Sequence, residues 1–297
     1  VSISQEKFIG DKWGGKYLRA PDIFWRIIDK AGDKLVPLAE VADVRRGITT
    51  GANEFFYLTK EEARRWGIEK RFLKPVVTNL KQVDTFGLFE KHADKLAFVC
   101  REPSEKLCRS KALEYINYGL RNGFADRSSV KTRRNWWHLP KQRPVDVVLM
   151  RFRDLRSWSP IVTSSTLLFG DTVFVASAIQ RDEAPWIQAC LNSYLCSLFA
   201  EVLGRTNLGQ GLLTTYGPEL RSLPVAWELG DEYRKARDTL HRLSEKRVET
   251  SYSEFLQARA HLDVLLFERI GIDVSVEEVH RATMSLVHQR REKATNA

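Results

Sequence analysis

In the stretch "VADVRRGITTGANEFFYL", residues 41–58, Arg45 and Arg46 stand beside a loop carrying Gly47, Thr49, Thr50, Gly51 and Asn53. Guanidinium groups hold phosphate oxygens, while threonine hydroxyls and an asparagine amide hydrogen-bond to phosphates or base edges. Glycines permit backbone conformations closed to other residues and let a loop lie close against a neighbouring surface. This set of donors therefore suits contact with a nucleic acid. The same residues also fit a β-hairpin with a polar turn, in which Phe55 and Phe56 anchor the returning strand and Asn53 caps its own backbone.

A second concentration of donors lies between Arg121 and Trp158, where ten basic side chains stand against three carboxylates, so most of the net charge of +9 resides there. Lys131, Arg133 and Arg134 precede Trp136 and Trp137, and Arg151 and Arg153 follow. Arginines interleaved with aromatic rings grip phosphates and stack on bases or sugars. A solvated basic loop with its tryptophans packed in the core is the other reading. A third stretch, "GRTNLGQG" at 204–211, repeats the glycine-and-polar character with Arg205 and Asn207, either as a second exposed edge or as a helix C-cap followed by a turn.

Chemistry of other kinds has little support. The glycine-rich turn "GQGLL" follows a helix instead of a strand, so it lacks the setting of a dinucleotide or methyl-donor site. The six histidines show no metal-ligand spacing with cysteine or carboxylate, and neither a phosphate-binding loop nor a nucleophile elbow occurs. Cys100, Cys108, Cys190 and Cys196 lack the close pairing of a zinc or redox motif and read as reduced thiols. The residues offer binding surfaces, no catalyst and no metal site. An isoelectric point near 9.4 favours an acidic partner. With no apolar run of bilayer length and no signal-peptide core at the start, the chain reads as cytoplasmic and without a membrane partner.

The elements that must position these residues read as α/β, in the α+β sense: a mixed, largely antiparallel and irregular sheet with packed helices, then a helical C-terminal segment. "KYLRAPDIFWRIIDKAG" predicts one amphipathic helix ending at Gly32. Short β-prone runs follow at "VADVRRGI", "EFFYL", "LAFVC", "VDVVLMRF", "SPIVTSSTLLF" and "TVFVASAI". Helices are predicted at "KEEARRWG", "SEKLCRSKALEYINYGLRNG" and "APWIQACLNSYLCSLFAEVLG", and two or three more in the charged tail. The division expected is a lead-in helix and linker over 1–34, a main domain over 35–227, and a helical tail over 228–297.

"LAEVADVRRGITTGANEFFYL" resembles the opening of the target-recognition domain in gamma-class adenine-N6 DNA methyltransferases of restriction-modification and phage-exclusion systems. "KWGGKYLRAPDIF", "IEKRFLKPVV", "YINYG", "RRNWWHLP", "ACLNSYLCSLFAEVLGRTNLGQGLLTTYGPELRSLPV" and "HLDVLLFERIGI" follow the order of that family, so the resemblance spans Lys12 to Ile272. It implies a module that reads double-stranded DNA beside a separate domain that binds S-adenosylmethionine and flips out the target adenine. That domain is expected in cis, or as a methyltransferase subunit in trans. The sequence departs from the family in having no Pro-Pro pair, so the motif that holds the adenine amino group is missing, as is the glycine-bearing cofactor motif. The expectation is a C-terminal portion of a longer protein, non-catalytic alone and without its own cofactor.

On this resemblance Arg45, Arg46, Gly47, Thr49, Thr50, Gly51, Asn53, Lys131, Arg133, Arg134, Arg151, Arg153, Arg205 and Asn207 are the candidate DNA contacts, while Trp136 and Trp137 pack. Three alternatives stay open: a free-standing specificity subunit like those of type I systems, a helical protein-interaction scaffold, and a nuclease with an unrecognised site.

Overall fold

The computed structural model describes residues 15–153, 158–206, 211–226 and 232–295; Asn207 lies outside them. A five-stranded sheet runs in the order Ala42–Arg46, Phe174–Ala178, Val147–Leu149, Ile161–Val162 and Gly87–Leu88. Its neighbours are antiparallel except for the last pair. A four-stranded sheet runs Leu168–Phe169, Leu73–Val77, Lys95–Phe98 and Tyr57–Leu58, again antiparallel except for its first pair. Two short antiparallel ladders join Leu35–Pro37 to Pro224–Ala226 and Phe152–Arg153 to Leu213–Thr214. The fold is α/β, with mixed and antiparallel sheets, packed helices and a helical C-terminal segment.

The period of two along a strand explains how the larger sheet is covered on both faces. Val147, Leu149, Phe174 and Ala176 face a core shared with Phe24 and Ile27 of the helix Asp22–Ala31, Leu198 of Tyr194–Leu203, and Leu266 and Val279 of the tail helices. Val148 and Val175 point the other way, into a second core with Val77, Leu88 and Phe169 that binds the two sheets together. A third core, with Phe55, Phe56, Phe98 and Tyr115 at its centre, underlies the glycine loop.

Local capping sets several boundaries where the sequence places them. Thr59 and Glu62 form a reciprocal capping box at the start of Lys60–Trp66, and Gly67 closes that helix with φ of 64°. Elsewhere the structure departs from expectation. The predicted first helix is interrupted at Ala20 and Pro21, because proline lacks a donor and pushes the preceding residue out of helical geometry. The helix expected over 104–123 begins only at Lys111, where the Ser110 hydroxyl accepts from Leu113 N–H; Arg109 before it has φ of 66°. "EFFYL" is not a strand throughout: Asn53–Phe56 is a helical turn that seats Phe55 and Phe56 in the core, and only Tyr57–Leu58 is β.

The long helix expected over 184–203 is two helices broken at Ser193. The second is capped from a distance, because the buried Asp263 carboxylate accepts from Tyr194 N–H at 2.7 Å and Leu195 N–H at 3.0 Å. Ser193 Oγ accepts from Cys196 N–H at 2.9 Å. These contacts satisfy donors that a helix start leaves without partners, and they lock the tail helix Tyr252–Ile270 onto the core.

Candidate nucleic-acid interface

Arg46 ends the strand Ala42–Arg46 in register with Phe174, and its guanidinium lies over that ring at 5.6 Å. The chain then turns across the end of the sheet: Gly47 N–H donates to Val173 O at 3.0 Å and Ile48 N–H to Phe169 O at 2.6 Å. A Cβ on Gly47 would lie 2.5 Å from the Phe169 carbonyl carbon. The backbone approach that requires this glycine is thus internal. Gly51 has φ of 77°, and a Cβ there would meet Val130 at 2.9 Å. Both glycines shape the loop.

Thr50 is fully buried, so its assignment to DNA is corrected. Its hydroxyl accepts from Ala52 N–H at 3.1 Å and donates to Asn53 Oδ1, closing the loop on itself. Thr49 and Asn53 remain exposed, and the Asn53 amide nitrogen has no partner among the described residues.

The basic segment packs over this loop. Arg133 reaches back across it, Nη2 donating to Thr50 O at 2.7 Å and more weakly to Thr49 O at 3.4 Å, with its guanidinium over Phe56 at 5.6 Å. Burial lowers its pKa, and Nη1 is buried without a partner. Arg133 is a strut for the loop. Arg127 pairs with Glu54 at 2.9 Å and holds that carboxyl below its usual range, tying the same two segments together at their exposed rim. Lys131 and Arg134 stay exposed, and neither forms an ion pair among the described residues. Trp136 packs on Phe55 with ring centroids 4.7 Å apart.

Arg45 is committed inside the protein. It donates to Asp43 Oδ2 at 2.8 Å, Ser177 Oγ at 3.1 Å and Pro144 O at 2.8 Å, and Asp43 also binds Arg143 at 2.9 Å. The group fastens the 143–144 segment to the sheet and leaves Arg45 half-buried.

Farther along, "RFR" reverses the expected polarity. Residues two apart on a strand share a face, so burying Arg153 turns Phe152 outward. Arg153 is 2% exposed, and its Nε and Nη2 have no hydrogen-bond partner among the described residues. Desolvation lowers its pKa against the weaker opposing pull of Cys196 and Glu201. Arg153 therefore cannot reach DNA, a further correction to the sequence reading. Arg151 remains half-buried at the surface, with its guanidinium 4.7 Å from the Tyr216 ring centroid. Arg205 covers the same ring at 4.9 Å and pairs with Glu219 at 2.6 Å. Gly204 N–H caps the helix Tyr194–Leu203 through Ala200 O at 2.8 Å.

The structure thus leaves Arg46, Thr49, Asn53, Lys131 and Arg134 exposed on the glycine loop, the strand end before it and the segment packed over it, and it gathers Arg151 and Arg205 over Tyr216. Sequence reading missed Phe152 and Tyr216, and no local pattern in the sequence picks out either. Among the described residues no group of three His, Cys, Asp or Glu side chains is placed to hold a metal, and no helix is long and apolar enough to cross a membrane. Gly47 and Gly170, which directly follow strands, face the protein's own backbone and side chains.

Residues 11–261 match the family described as the C-terminal domain of Type II methyltransferase M.Eco57I, and the chain belongs to that family. Type II methyltransferase M.AccI of Acinetobacter calcoaceticus is 27% identical over 144 residues, covering 46% of this chain and 25% of that protein. Two solved structures share the fold at 13% identity and a TM-score of 0.54. The type IIG restriction endonuclease BpuSI matches over 86% of this chain and 33% of its own. The type IIL restriction-modification enzyme MmeI, solved in complex with DNA, matches over 88% of this chain and 37% of its own. The chain thus spans about a quarter of the curated relative and about a third of each structural one.

Proposed function

We propose that this chain is the DNA sequence-recognition part of an adenine-N6 DNA methyltransferase or combined restriction-modification enzyme acting in the cytoplasm in phage defence. Double-stranded DNA is its ligand. S-adenosylmethionine and the catalytic residues belong to a methyltransferase domain in the same protein or to a methyltransferase subunit, and this chain alone transfers no methyl group. The observation that carries the reading is the exposed charge of Arg46, Lys131 and Arg134, without ion-pair partners among the described residues, around a loop braced by Arg133. Cations left without carboxylates attract phosphate, and a preorganised loop presents Thr49 and Asn53 to base edges at little entropic cost. Family membership and the solved relative in complex with DNA support the same reading.

Fluorescence anisotropy with labelled duplexes tests it. Affinity should fall linearly in log-log form with salt, by about 0.9 in slope per phosphate contact. Selection from a random duplex pool should return one enriched motif. Salt-insensitive binding, or a pool with no enrichment, would overturn sequence recognition.

A further inference from the structure

The short strand Phe152–Arg153 presents its aromatic side chain to solvent, with Phe152 46% exposed, while its cation is buried. The exposed ring is not isolated. The Arg151 guanidinium lies 4.9 Å from the Phe152 centroid and 4.7 Å from that of Tyr216, and Arg205 lies 4.9 Å from the Tyr216 ring. Two rings and two cations thus form one cluster. Arg205 has a carboxylate partner in Glu219, whereas Arg151 has none among the described residues, and its Nε is buried without a hydrogen bond. The cluster also adjoins the basic loop: Phe174 pairs in register with both Arg46 and Leu149, which lies two residues before Arg151.

Such a cluster does not suit the edge of a paired base. In an intact duplex the flat faces of the bases are covered by their neighbours, and the grooves offer polar edges to which a phenylalanine ring gives no hydrogen bond. An aromatic face finds its partner in a base that has left the stack, and the flanking phosphates then require positive charge nearby. We infer that Phe152 and Tyr216, with Arg151 between them, form a stacking site for an unpaired nucleobase of DNA, and that Arg151 and Arg205 supply charge to its phosphates. This inference deepens the proposed function and rests on it. Phe152 provides the exposed ring, and the Arg151 guanidinium, which lies over both rings, links it to Tyr216.

The test compares the full chain with Phe152→Ala and Phe152→Trp on two DNAs: a fully paired duplex and the same duplex with one bulged fluorescent adenine analogue. Thermal melting of the variants checks that they fold. The wild type should bind the bulged duplex about 5- to 150-fold more tightly than the paired one, matching the effect of one base–aromatic stack. Binding should quench the bulged base. Phe152→Ala should lose both the preference and the quenching while keeping its affinity for paired duplex, and Phe152→Trp should retain both. Equal affinity for the two DNAs, or a preference that survives in Phe152→Ala, would overturn the stacking site and leave DNA recognition standing. Failure to bind either DNA would overturn the function on which the site rests.

Discussion

Replacing Arg133 with alanine removes the guanidinium that holds Thr50 O at 2.7 Å, and it separates two predictions that the sequence alone would merge. A hydrogen bond from a charged donor contributes about 1.5–3 kcal/mol, and the guanidinium over Phe56 about 0.5–1 kcal/mol more. The 3.4 Å contact with Thr49 O adds little at that length. Opposing these gains, Nη1 is buried without a partner, and part of the stabilisation is lost to desolvation. The net cost of Arg133→Ala should be about 1–3 kcal/mol, whereas exposed Arg134→Ala should change stability by less than about 0.5 kcal/mol. Urea unfolding followed by tryptophan fluorescence measures both, with a lower midpoint and an unchanged slope expected for the first alone. DNA binding should show the converse. Arg134→Ala should reduce the salt slope by about 1, while Arg133→Ala should weaken binding at an unchanged slope because it loosens the loop. If Arg133→Ala unfolds like the wild type and lowers the salt slope, the strut is wrong and Arg133 contacts phosphate itself.

Gly51→Val should destabilise the protein by at least about 1–2 kcal/mol, since φ of 77° is unfavourable for a β-branched residue and its Cβ would meet Val130; unchanged melting would show that the loop relaxes. Arg153→Met should be neutral or stabilising by about 1–4 kcal/mol, because it replaces a buried cation whose Nε and Nη2 lack hydrogen bonds among the described residues by an apolar side chain, and DNA affinity should not change. Burial pushes the Asp263 carboxyl up to about 7, against the opposing hydrogen bonds of Tyr194 and Leu195 N–H and the charge of Arg259. A carboxyl whose folded pKa is raised keeps its proton where the unfolded chain releases it, so its contribution is full at acid pH and lost as pH rises from the ordinary carboxylate range through about 7. The stability of wild type minus Asp263→Asn should therefore fall across that window and level off above it, as equilibrium unfolding at a series of pH values would show. A flat difference would mean that Asp263 is ionised throughout.

What the sequence determined by itself was what depends on near neighbours. Thr59, Glu62 and Gly67 bound a helix within a few residues of one another, the order of β-prone runs marks a mixed sheet, and the basic segment and absent cofactor motif are plain in the residues. The same local reading could not separate exposed donors from buried ones. Arg45 and Arg133 look like Arg46 and Arg134 in the chain, yet Arg45 meets Ser177, 132 residues away, and Arg133 meets Thr50, 83 residues away. The break at Ser193 likewise depends on Asp263, which lies 69 residues beyond Tyr194 and satisfies a helix start from across the core. Phe152 and Arg153 form a strand of two residues, too short for its own pattern to choose a face, so pairing with Leu213–Thr214 and packing beneath decided which side chain went inward. Tertiary structure made these choices because a polar group's partner, and hence whether any charge remains for a ligand, is settled by contacts between segments far apart in the chain.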